Sequence, residues 1–552
     1  MKYVLPIILV LVVSSCSTKR RARVNMSDSS SAATEEMLAE ARAKALEAEA
    51  RAAEAEARAA EAEARNDAEA ESLKEEAEDL RKEADDLMAS AGGMENENPP
   101  AEDPSEDDPQ VSGPFKLDNS EQNKYLNYVE QYIDGQTRHA MHSDDPNAYT
   151  VRTYDVAEGD IFYAASDTYD NALASIFFTV VGKPQKAAKI LDSWLRMHKW
   201  TLANDNYRKG LFWPRVNHYD LNPASWIDSG GAFLDVGNNS MMALAFCRYY
   251  LQFKDDAPNA TLHKEYYSAA KAIMSEIHNN FQCKTGPYQG YMGRPTSTAS
   301  ADWQSVEHNL DMYALGACVQ KAALTAEPGV NTSADEVQKI AGKFVSQMYD
   351  SANGRYRTGT EPSCNANTQL NNEFVPVDGI TWRYLARAEE NVANHDSRTP
   401  TTMEALVTPT FMIEDPGFTS RLGQAIWGVK FTNIGSGIQS ENTGAALLAL
   451  NDFHQNNASA DIDKLRTSVK IMFDEYGSSG IPAHNQPSDD SCCNTGITWS
   501  YYFNPHTAST VYFGLALAYQ FERNGQIIPG MNPYYPGSSK VPTQETVMEP
   551  QL

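Results

Sequence analysis

The chain has 552 residues, and its 41% hydrophobic and 10% aromatic content allows a large buried core. A net charge of −28 excludes a general nucleic-acid binder, because an acidic surface repels backbone phosphates. Much of this charge lies in residues 31–110, which indicates that the chain begins with segments unlike the body that follows.

The first 16 residues have the pattern of an export signal. Lys2 precedes the apolar run Val4–Val13, which is broken only by Pro6 and is too short to span a membrane as a mature helix. Small residues then lead to Cys16, an arrangement that resembles the bacterial lipobox. Cys16 is therefore the predicted lipidation site. Ser17 after it resembles the outer-membrane sorting case, so we expect a lipid-anchored protein of the cell envelope, on the periplasmic side or the cell surface.

The anchor is followed by a predicted stalk. After a tether at residues 17–33, residues 34–90 are low in complexity. The heptad Glu-Ala-Glu-Ala-Arg-Ala-Ala runs twice from Glu47 to Ala60 and starts again at Glu61, and it combines strong helix formers with favourable i,i+4 ion pairs. This segment predicts a helical spacer that either stays solitary or self-associates as an alanine-lined coiled coil. Residues 91–114 are acidic and rich in proline, which predicts a disordered linker.

A weak internal repeat runs through the main domain, residues 115–535, which a disordered tail at 536–552 is expected to follow. Six polar clusters precede or open apolar helical runs, and their spacings are 68, 71, 69, 63 and 63 residues. Helices that are apolar nearly all round belong inside a protein. The clusters are centred on Asp170, Asn238, Asn309, Asp378, Glu441 and Asn504.

Amphipathic segments between these runs predict outer helices. The clearest are Ala187–Met197, Leu262–Phe281, Ala334–Met348 and Ile462–Phe473. Six units of one inner and one outer helix predict an all-α fold, an (α/α)6 toroid. If the inner helices run the same way, the polar clusters ring one mouth at positive helix ends. The alternative is that each cluster is simply an N-cap.

Six cysteines follow the anchor. Cys247 and Cys318 lie in apolar helical contexts and are expected to be core thiols. Cys283, Cys364 and the pair at positions 492 and 493 lie in loops, where export would allow disulfides, with the connectivity open.

A family resemblance rests on two segments. The stretch Trp303-Gln-Ser-Val-Glu-His-Asn-Leu-Asp311, with Gly290-Tyr291 before it, resembles a motif of six-hairpin glycosidase-like bacterial proteins. Pro505–Thr510 is similar to a second element of that class. The resemblance covers about residues 150–535, and its Glu-His-Asn-Leu-Asp element is the specific part. It implies the toroid and a carbohydrate substrate.

Glu307 is the first catalytic candidate, because glycoside hydrolysis needs one carboxyl to protonate the leaving oxygen and another as base or nucleophile. Asp311 lies one turn deeper on the same helix face and is expected to orient Glu307 or its neighbours. The partner is expected from across the mouth. Asp170 and Glu441 are favoured over Asp378 and Asp235, and a cap or structural hydrogen bond is the competing interpretation of each.

Further side chains are candidates for holding sugar hydroxyls and pyranose faces, although each also fits ordinary packing. These are Trp303, His308, Asn309, Asp311, Trp213, Trp382, Tyr288, Asp378 and His506. Trp226 and Trp499 share the polar, loop-like surroundings of these tryptophans.

The leading hypothesis is a membrane-anchored glycoside hydrolase that acts on an oligo- or polysaccharide. A polysaccharide lyase on the same fold is the first alternative, with Arg215, Arg383 or His308 neutralising a uronate. A non-catalytic glycan-binding envelope lipoprotein is the second. No HxH or HExxH spacing occurs, so neither a catalytic metal nor a cofactor is expected.

Overall fold

The structure is a computed structural model. It describes residues 119–139, 149–160, 162–217, 234–254, 260–294, 303–328, 333–361, 364–371, 374–388, 398–454, 459–485, 494–497, 500–518 and 532–534. All of them belong to one unit, Ser112–Leu552. The segments predicted as signal peptide with Cys16, tether, spacer, linker and tail lie outside the described residues, as do Trp226, Trp499 and the cysteines at 492 and 493. No helix in the described ranges is long and apolar enough to cross a membrane.

Helices dominate the described part of the chain. In chain order they are α1 (Asn119–Gln136), α2 (Thr168–Val180), α3 (Pro184–Asn204), α4 (Val236–Phe253), α5 (Ala260–Asn280), α6 (Val306–Ala326), α7 (Ala334–Gln347), α8 (Asp378–Ala386), α9 (Arg398–Ala405), α10 (Pro416–Leu422), α11 (Ser440–His454), α12 (Ala460–Tyr476) and α13 (Thr507–Ala518).

Six of these helices are almost wholly buried and form an inner ring. Each begins within three residues of a predicted polar cluster, and α13 is buried along its entire length. Along the ring α2, α4, α6, α8, α11 and α13 each pack against the next, and α13 packs against α2. The ring is therefore closed, which confirms the all-α (α/α)6 toroid predicted from the repeat.

An outer layer of amphipathic helices covers the ring. The four predicted outer segments correspond to α3, α5, α7 and α12. The outer helix beside α8 is only the eight-residue α9, and α1 packs against α13 at the other end of the chain. The last hairpin is thus completed by the first described helix.

Short antiparallel strands connect the helices. They are β1 (Thr137–His139), β2 (Tyr149–Val151), β3 (Ala165–Asp167), β4 (Arg215–Asn217), β5 (Gln304–Ser305), β6 (Tyr349–Asp350), β7 (Arg355–Tyr356), β8 (Gly359–Glu361), β9 (Gln369–Leu370), β10 (Met412–Glu414) and β11 (Trp427–Val429). The three-stranded sheet β5–β8–β9 lies directly before α6 and carries side chains of the candidate site.

Two disulfides stabilise the toroid. Cys247 of α4 is bonded to Cys318 of α6, with Cα atoms 6.1 Å apart, so the expectation of core thiols is wrong. The two helices are neighbours in the ring and turn these positions toward each other, which helical periodicity within one segment does not reveal. Cys283 and Cys364 join two loops, with Cα atoms 4.8 Å apart.

Replacing Gly444 with alanine is expected to destabilise the ring by about 1–3 kcal/mol, because overpacking forces neighbours apart. A Cβ at Gly444 in α11 would lie 2.8 Å from the carbonyl carbon of Tyr512 in α13, and backbone cannot turn aside as a side chain can. Gly135→Ala in α1 is the matched control, since a Cβ there meets nothing within 4 Å. Thermal unfolding of the full-length protein measures both changes. An equal unfolding midpoint for the two variants would contradict the close approach of α11 and α13.

Candidate active site

The first turns of the inner helices meet at one end of the ring. The Tyr169 amide donates to Asn238 Oδ1 at 3.1 Å, which joins the starts of α2 and α4. The Ala508 amide donates to Asp170 Oδ1 at 2.9 Å, which joins α13 to α2. Asp235, the N-cap residue of α4, has its carboxylate 3.6 Å from the Nε2 atom of His308 in α6. The polar clusters therefore lie together, as the toroid requires.

A cavity of about 290 Å³ opens between the starts of α6 and α8. It is lined by three carboxyl residues, Glu307, Asp378 and the exposed Glu361, and by the half-buried rings of Trp303, Phe374 and Phe431. Its full lining is Trp303, Gln304, Ser305, Glu307, Thr358, Gly359, Thr360, Glu361, Asn371, Phe374, Pro376, Asp378, Phe431 and Ile497. Of the predicted partners of Glu307, the structure thus places Asp378 in the same cavity.

Three carboxyl groups around this cavity have raised pKa values. Burial raises the pKa of Glu307 well above its usual range, and the charges of Asp378, Asp311, Asp235 and Glu441 raise it further. Burial raises the pKa of Asp378 to about 7, against a hydrogen bond from the Gly379 amide that favours the ionised form. Burial also raises the pKa of Glu441 to about 7. Burial therefore favours the protonated form of each of these three carboxyls.

The raised pKa values predict that the domain loses stability between about pH 4 and pH 7. The folded-state pKa of Asp378 and Glu441, about 7, exceeds the ordinary values of 3.8 and 4.5. Their contribution is therefore complete below about pH 4 and is lost as the pH rises through about 7. Thermal unfolding across this range measures the effect, and Glu441→Gln, which cannot ionise, is expected to flatten it. A wild-type unfolding midpoint that stays level or rises with pH would refute the prediction.

Asp170 and His506 form a separate buried pair beside the cavity residues. His506 Nε2 lies 3.6 Å from Asp170 Oδ1, and the His506 ring stacks on Tyr154 with centroids 4.7 Å apart. Burial raises the pKa of Asp170 well above its usual range and lowers that of His506 to about 4. His506 is thus neutral at pH 7, and burial favours the neutral form of Asp170 as well. A catalytic role for Asp170 and for Glu441 stays a prediction.

The side-chain amide of Asn309 in α6 is hydrogen-bonded to the backbone and has a structural role. Its Oδ1 accepts from the Tyr291 amide at 2.8 Å, and its Nδ2 donates to the carbonyls of Tyr291 and Ser305. Both amide hydrogens are engaged by the backbone, and a role for Asn309 in holding a sugar stays a prediction. Asn171 and Asn239 hold the preceding extended segments in the same way at α2 and α4. At α2, α4 and α6, an asparagine in the first turn therefore fastens an extended segment to the inner helix.

His308 and Asp311 lie behind Glu307. The His308 ring is buried and packs against Trp303 with centroids 5.0 Å apart, so it supports a cavity aromatic. Asp311 is buried beside Gly237, where an added Cβ would lie 3.1 Å from its Oδ2 atom. Burial raises the pKa of Asp311 well above its usual range, with further contributions from the charges of Asp235 and Asp378. Asp311 is thus a buried carboxyl behind Glu307, and its charge contributes to the raised pKa of Glu307.

The remaining aromatic candidates differ in position. Trp382 is 3% exposed and packs against the rings of Tyr169 and Tyr534 inside the toroid. Trp213 is 9% exposed and lies under the guanidinium of Arg208. Tyr288 is half-buried against the hydrophobic core. Of the predicted tryptophans with described side chains, Trp303 is the one that lines the cavity.

Several cavity residues escaped the sequence analysis. Thr358, Thr360 and Asn371 come from the segment around β8 and β9, and Phe374 and Phe431 precede α8 and follow β11. None of them lies in a repeat or a motif. Gly359 was the one weak signal in the sequence for this part of the cavity. A Cβ at this position would lie 1.8 Å from the Gln304 carbonyl oxygen, so glycine is needed where β8 meets β5.

Comparisons with known proteins give distant similarities only. No protein-family model matches the chain, and no curated protein matches its sequence. Among solved structures, an endo-β-1,4-glucanase, CMCax, from Acetobacter xylinum has 14% identity and a TM-score of 0.42, covering 72% of this chain and 98% of that chain. A family 76 glycoside hydrolase from a bovine Bacteroides thetaiotaomicron strain has 12% identity and a TM-score of 0.46, with 72% and 78% covered. A sugar epimerase from a ruminal bacterium has 12% identity and a TM-score of 0.44, with 72% and 98% covered. Similarity at this level does not identify an activity for the chain.

Proposed function

We propose that this protein is a glycoside hydrolase in which Glu307 is the general acid and Asp378 is the base or nucleophile. The observation that carries the proposal is the cavity itself, into which two carboxyl groups with raised pKa values and three aromatic rings project. Glycoside hydrolysis requires one protonated and one ionised carboxyl on either side of the scissile bond.

The two carboxyls differ in the way this chemistry needs. Burial and the neighbouring charges raise the pKa of Glu307 well above its usual range, which favours the protonated form that a general acid needs. Asp378 is stabilised as an anion by the Gly379 amide, and its Oδ1 makes no hydrogen bond to another described residue. As an anion in the lining of the cavity, Asp378 would accept a proton from water or attack the sugar.

The aromatic rings supply the binding surface. Trp303, Phe374 and Phe431 each keep part of a ring exposed to the cavity. Apolar ring faces match the apolar faces of pyranose sugars, and neighbouring Thr358, Thr360 and Asn371 offer hydrogen-bonding groups for hydroxyls. The substrate class that fits this lining is an uncharged oligo- or polysaccharide.

The structure gives little support to the alternative that the protein is a polysaccharide lyase. Nη2 of Arg215 donates to Oδ2 of Asp167 at 2.8 Å. The buried Arg383 donates from Nη2 to the hydroxyls of Thr399 and Thr402. Two of the cations proposed to neutralise a uronate are thus committed to protein partners.

The cellular location that we propose for the enzyme is based on the sequence. With lipidation at Cys16, the stalk at residues 17–114 would present the toroid away from the membrane, in the cell envelope and on the outer membrane. Metabolic labelling with a fatty acid, compared between the wild type and Cys16→Ser, tests this anchor.

The experiment that tests the activity is a turnover assay of the full-length protein on neutral and uronate-containing glycans. Release of new reducing ends from a neutral glycan is expected. An unsaturated product absorbing in the near ultraviolet would favour the lyase. Tight binding without turnover across the panel would contradict the hydrolase and favour a glycan-binding protein.

A further inference from the structure

The hairpin of β8 and β9 forms one wall of the candidate cavity. Thr360 and Glu361 of β8 line the cavity, as does Asn371, which directly follows β9. The two strands pair with each other in antiparallel register. At its base the hairpin also pairs with β5, where Gly359 lies opposite Ser305, the residue directly before α6. The base of the wall is thus held beside the first turn of α6.

The loop that joins β8 to β9 is attached to the toroid at a second point. Cys364 in this loop forms a disulfide with Cys283 in the segment that follows α5. The carbonyl oxygen of Cys364 also accepts from the Thr285 hydroxyl at 2.6 Å. The two segments lie so close together that a Cβ at Gly286 would be 2.7 Å from the carbonyl oxygen of Asn365. A covalent bond, a hydrogen bond and close packing therefore coincide at this attachment.

The segment that carries Cys283 is itself fixed to α6. The Cys283 amide donates to the Gly290 carbonyl at 2.8 Å. The amide of the next residue, Tyr291, donates to Oδ1 of Asn309 at 2.8 Å. Asn309 lies in the first turn of α6, two residues after Glu307. Both attachments of the hairpin therefore lead to the start of the helix that bears the proposed acid.

We propose that Cys283 and Cys364 are positioning residues of the active site, whose disulfide holds the β8–β9 wall in the conformation that binds the sugar. This role rests on the proposed function, because the wall meets a substrate only if the cavity is the active site. Restricting a segment to its bound conformation raises affinity, since less conformational freedom is lost on binding. The proposed acid and base stand on α6 and α8 rather than on the hairpin, so the disulfide is expected to act on binding more than on the chemical step.

The second disulfide of the toroid provides a matched comparison. Cys247 and Cys318 join α4 to α6, are fully buried, and are not in the lining of the cavity. Their sequence separation is 71 residues, against 81 for Cys283 and Cys364. Because the chain-entropy contribution of a disulfide depends on the logarithm of the loop length, loss of either bond is expected to cost the fold a similar amount of stability. A difference in glycan binding between the two variants would therefore report where the bond lies.

The experiment compares the full-length wild type with Cys283→Ala/Cys364→Ala and with Cys247→Ala/Cys318→Ala. Loss of the first bond is expected to raise KM by about 3–10-fold with little change in kcat, the ordering cost of one or two side chains. Loss of the second is expected to leave KM unchanged while lowering the unfolding midpoint by a similar amount. For a glycan that binds without turnover, the dissociation constant takes the place of KM, so failure of the proposed hydrolase would not decide this inference.

Hydrogen exchange supplies a measurement that needs no substrate. A peptide covering residues 357–371 is expected to exchange faster in Cys283→Ala/Cys364→Ala than in the wild type, and at the wild-type rate in the other double variant. Thr285→Val keeps the disulfide, removes the hydrogen bond to Cys364, and is expected to raise KM by less, which keeps the proposal testable if the double variant does not fold. The proposal is overturned if exchange in this peptide is unchanged, if KM stays level in the variants that fold, or if both double variants raise KM equally.

Discussion

Glu307→Gln is expected to lower kcat by about 10²–10⁴-fold, the usual contribution of a general acid. Glutamine keeps the shape of the side chain and its place in the cavity, but its amide cannot give a proton to the departing sugar oxygen. KM is expected to change little, because the aromatic rings that bind the sugar are untouched. Steady-state kinetics on the best glycan of the panel measure the change.

The leaving group supplies a sharper criterion for the role of Glu307. An activated aryl glycoside leaves without protonation, so its cleavage is expected to lose far less in Glu307→Gln than that of a natural glycan. Glu404→Gln, on the exposed face of α9, is the matched control and is expected to behave as the wild type. Equal losses for activated and natural substrates would remove Glu307 from the acid role.

The polar repeat was enough to predict the inner ring, because each inner helix needs both a hydrophobic run and a polar first turn. That pattern is local, and it located all six inner helices within three residues. The closure of the ring was not local. Nothing in the sequence of α1 shows that it packs against α13, and the disulfide between Cys247 and Cys318 depends on how two separate helices face each other.

The candidate site was predicted less completely than the fold. Glu307 and Trp303 were found because they share one motif, and both line the cavity. The preference for Asp170 over Asp378 had no local basis, because all the candidates stand in the first turns of inner helices. Which carboxyl reaches the cavity depends on the loops above each helix. Here Pro376 and Phe374 carry Asp378 beside Glu307.

The pH dependence of catalysis follows from the order of the two pKa values. Asp378, with a pKa of about 7, must be ionised to act as a base, so kcat/KM is expected to rise as the pH increases through about 7. Glu307 must stay protonated, and its strongly raised pKa places the fall in activity at higher pH. The active form of the enzyme therefore exists between these two ionisations.

Asp378→Asn is expected to lower kcat by about 10²–10⁴-fold and to shift what remains of the pH profile. The rise through about pH 7 is expected to disappear, because asparagine does not ionise. The charge of Asp378 is the largest of the charges that raise the pKa of Glu307, so its removal is expected to move the alkaline fall in residual activity to lower pH.

If the alkaline fall in activity of Asp378→Asn moved to higher pH or did not move, the charge of Asp378 would not be raising the pKa of Glu307. Asp378→Ala tests whether Asp378 lies at the anomeric carbon. In that variant azide can enter the space of the lost carboxylate, and recovery of turnover with a glycosyl azide product is expected if Asp378 attacks or faces the anomeric carbon. An absence of rescue, together with an unchanged alkaline limb in Asp378→Asn, would leave Glu441 as the carboxyl that works with Glu307.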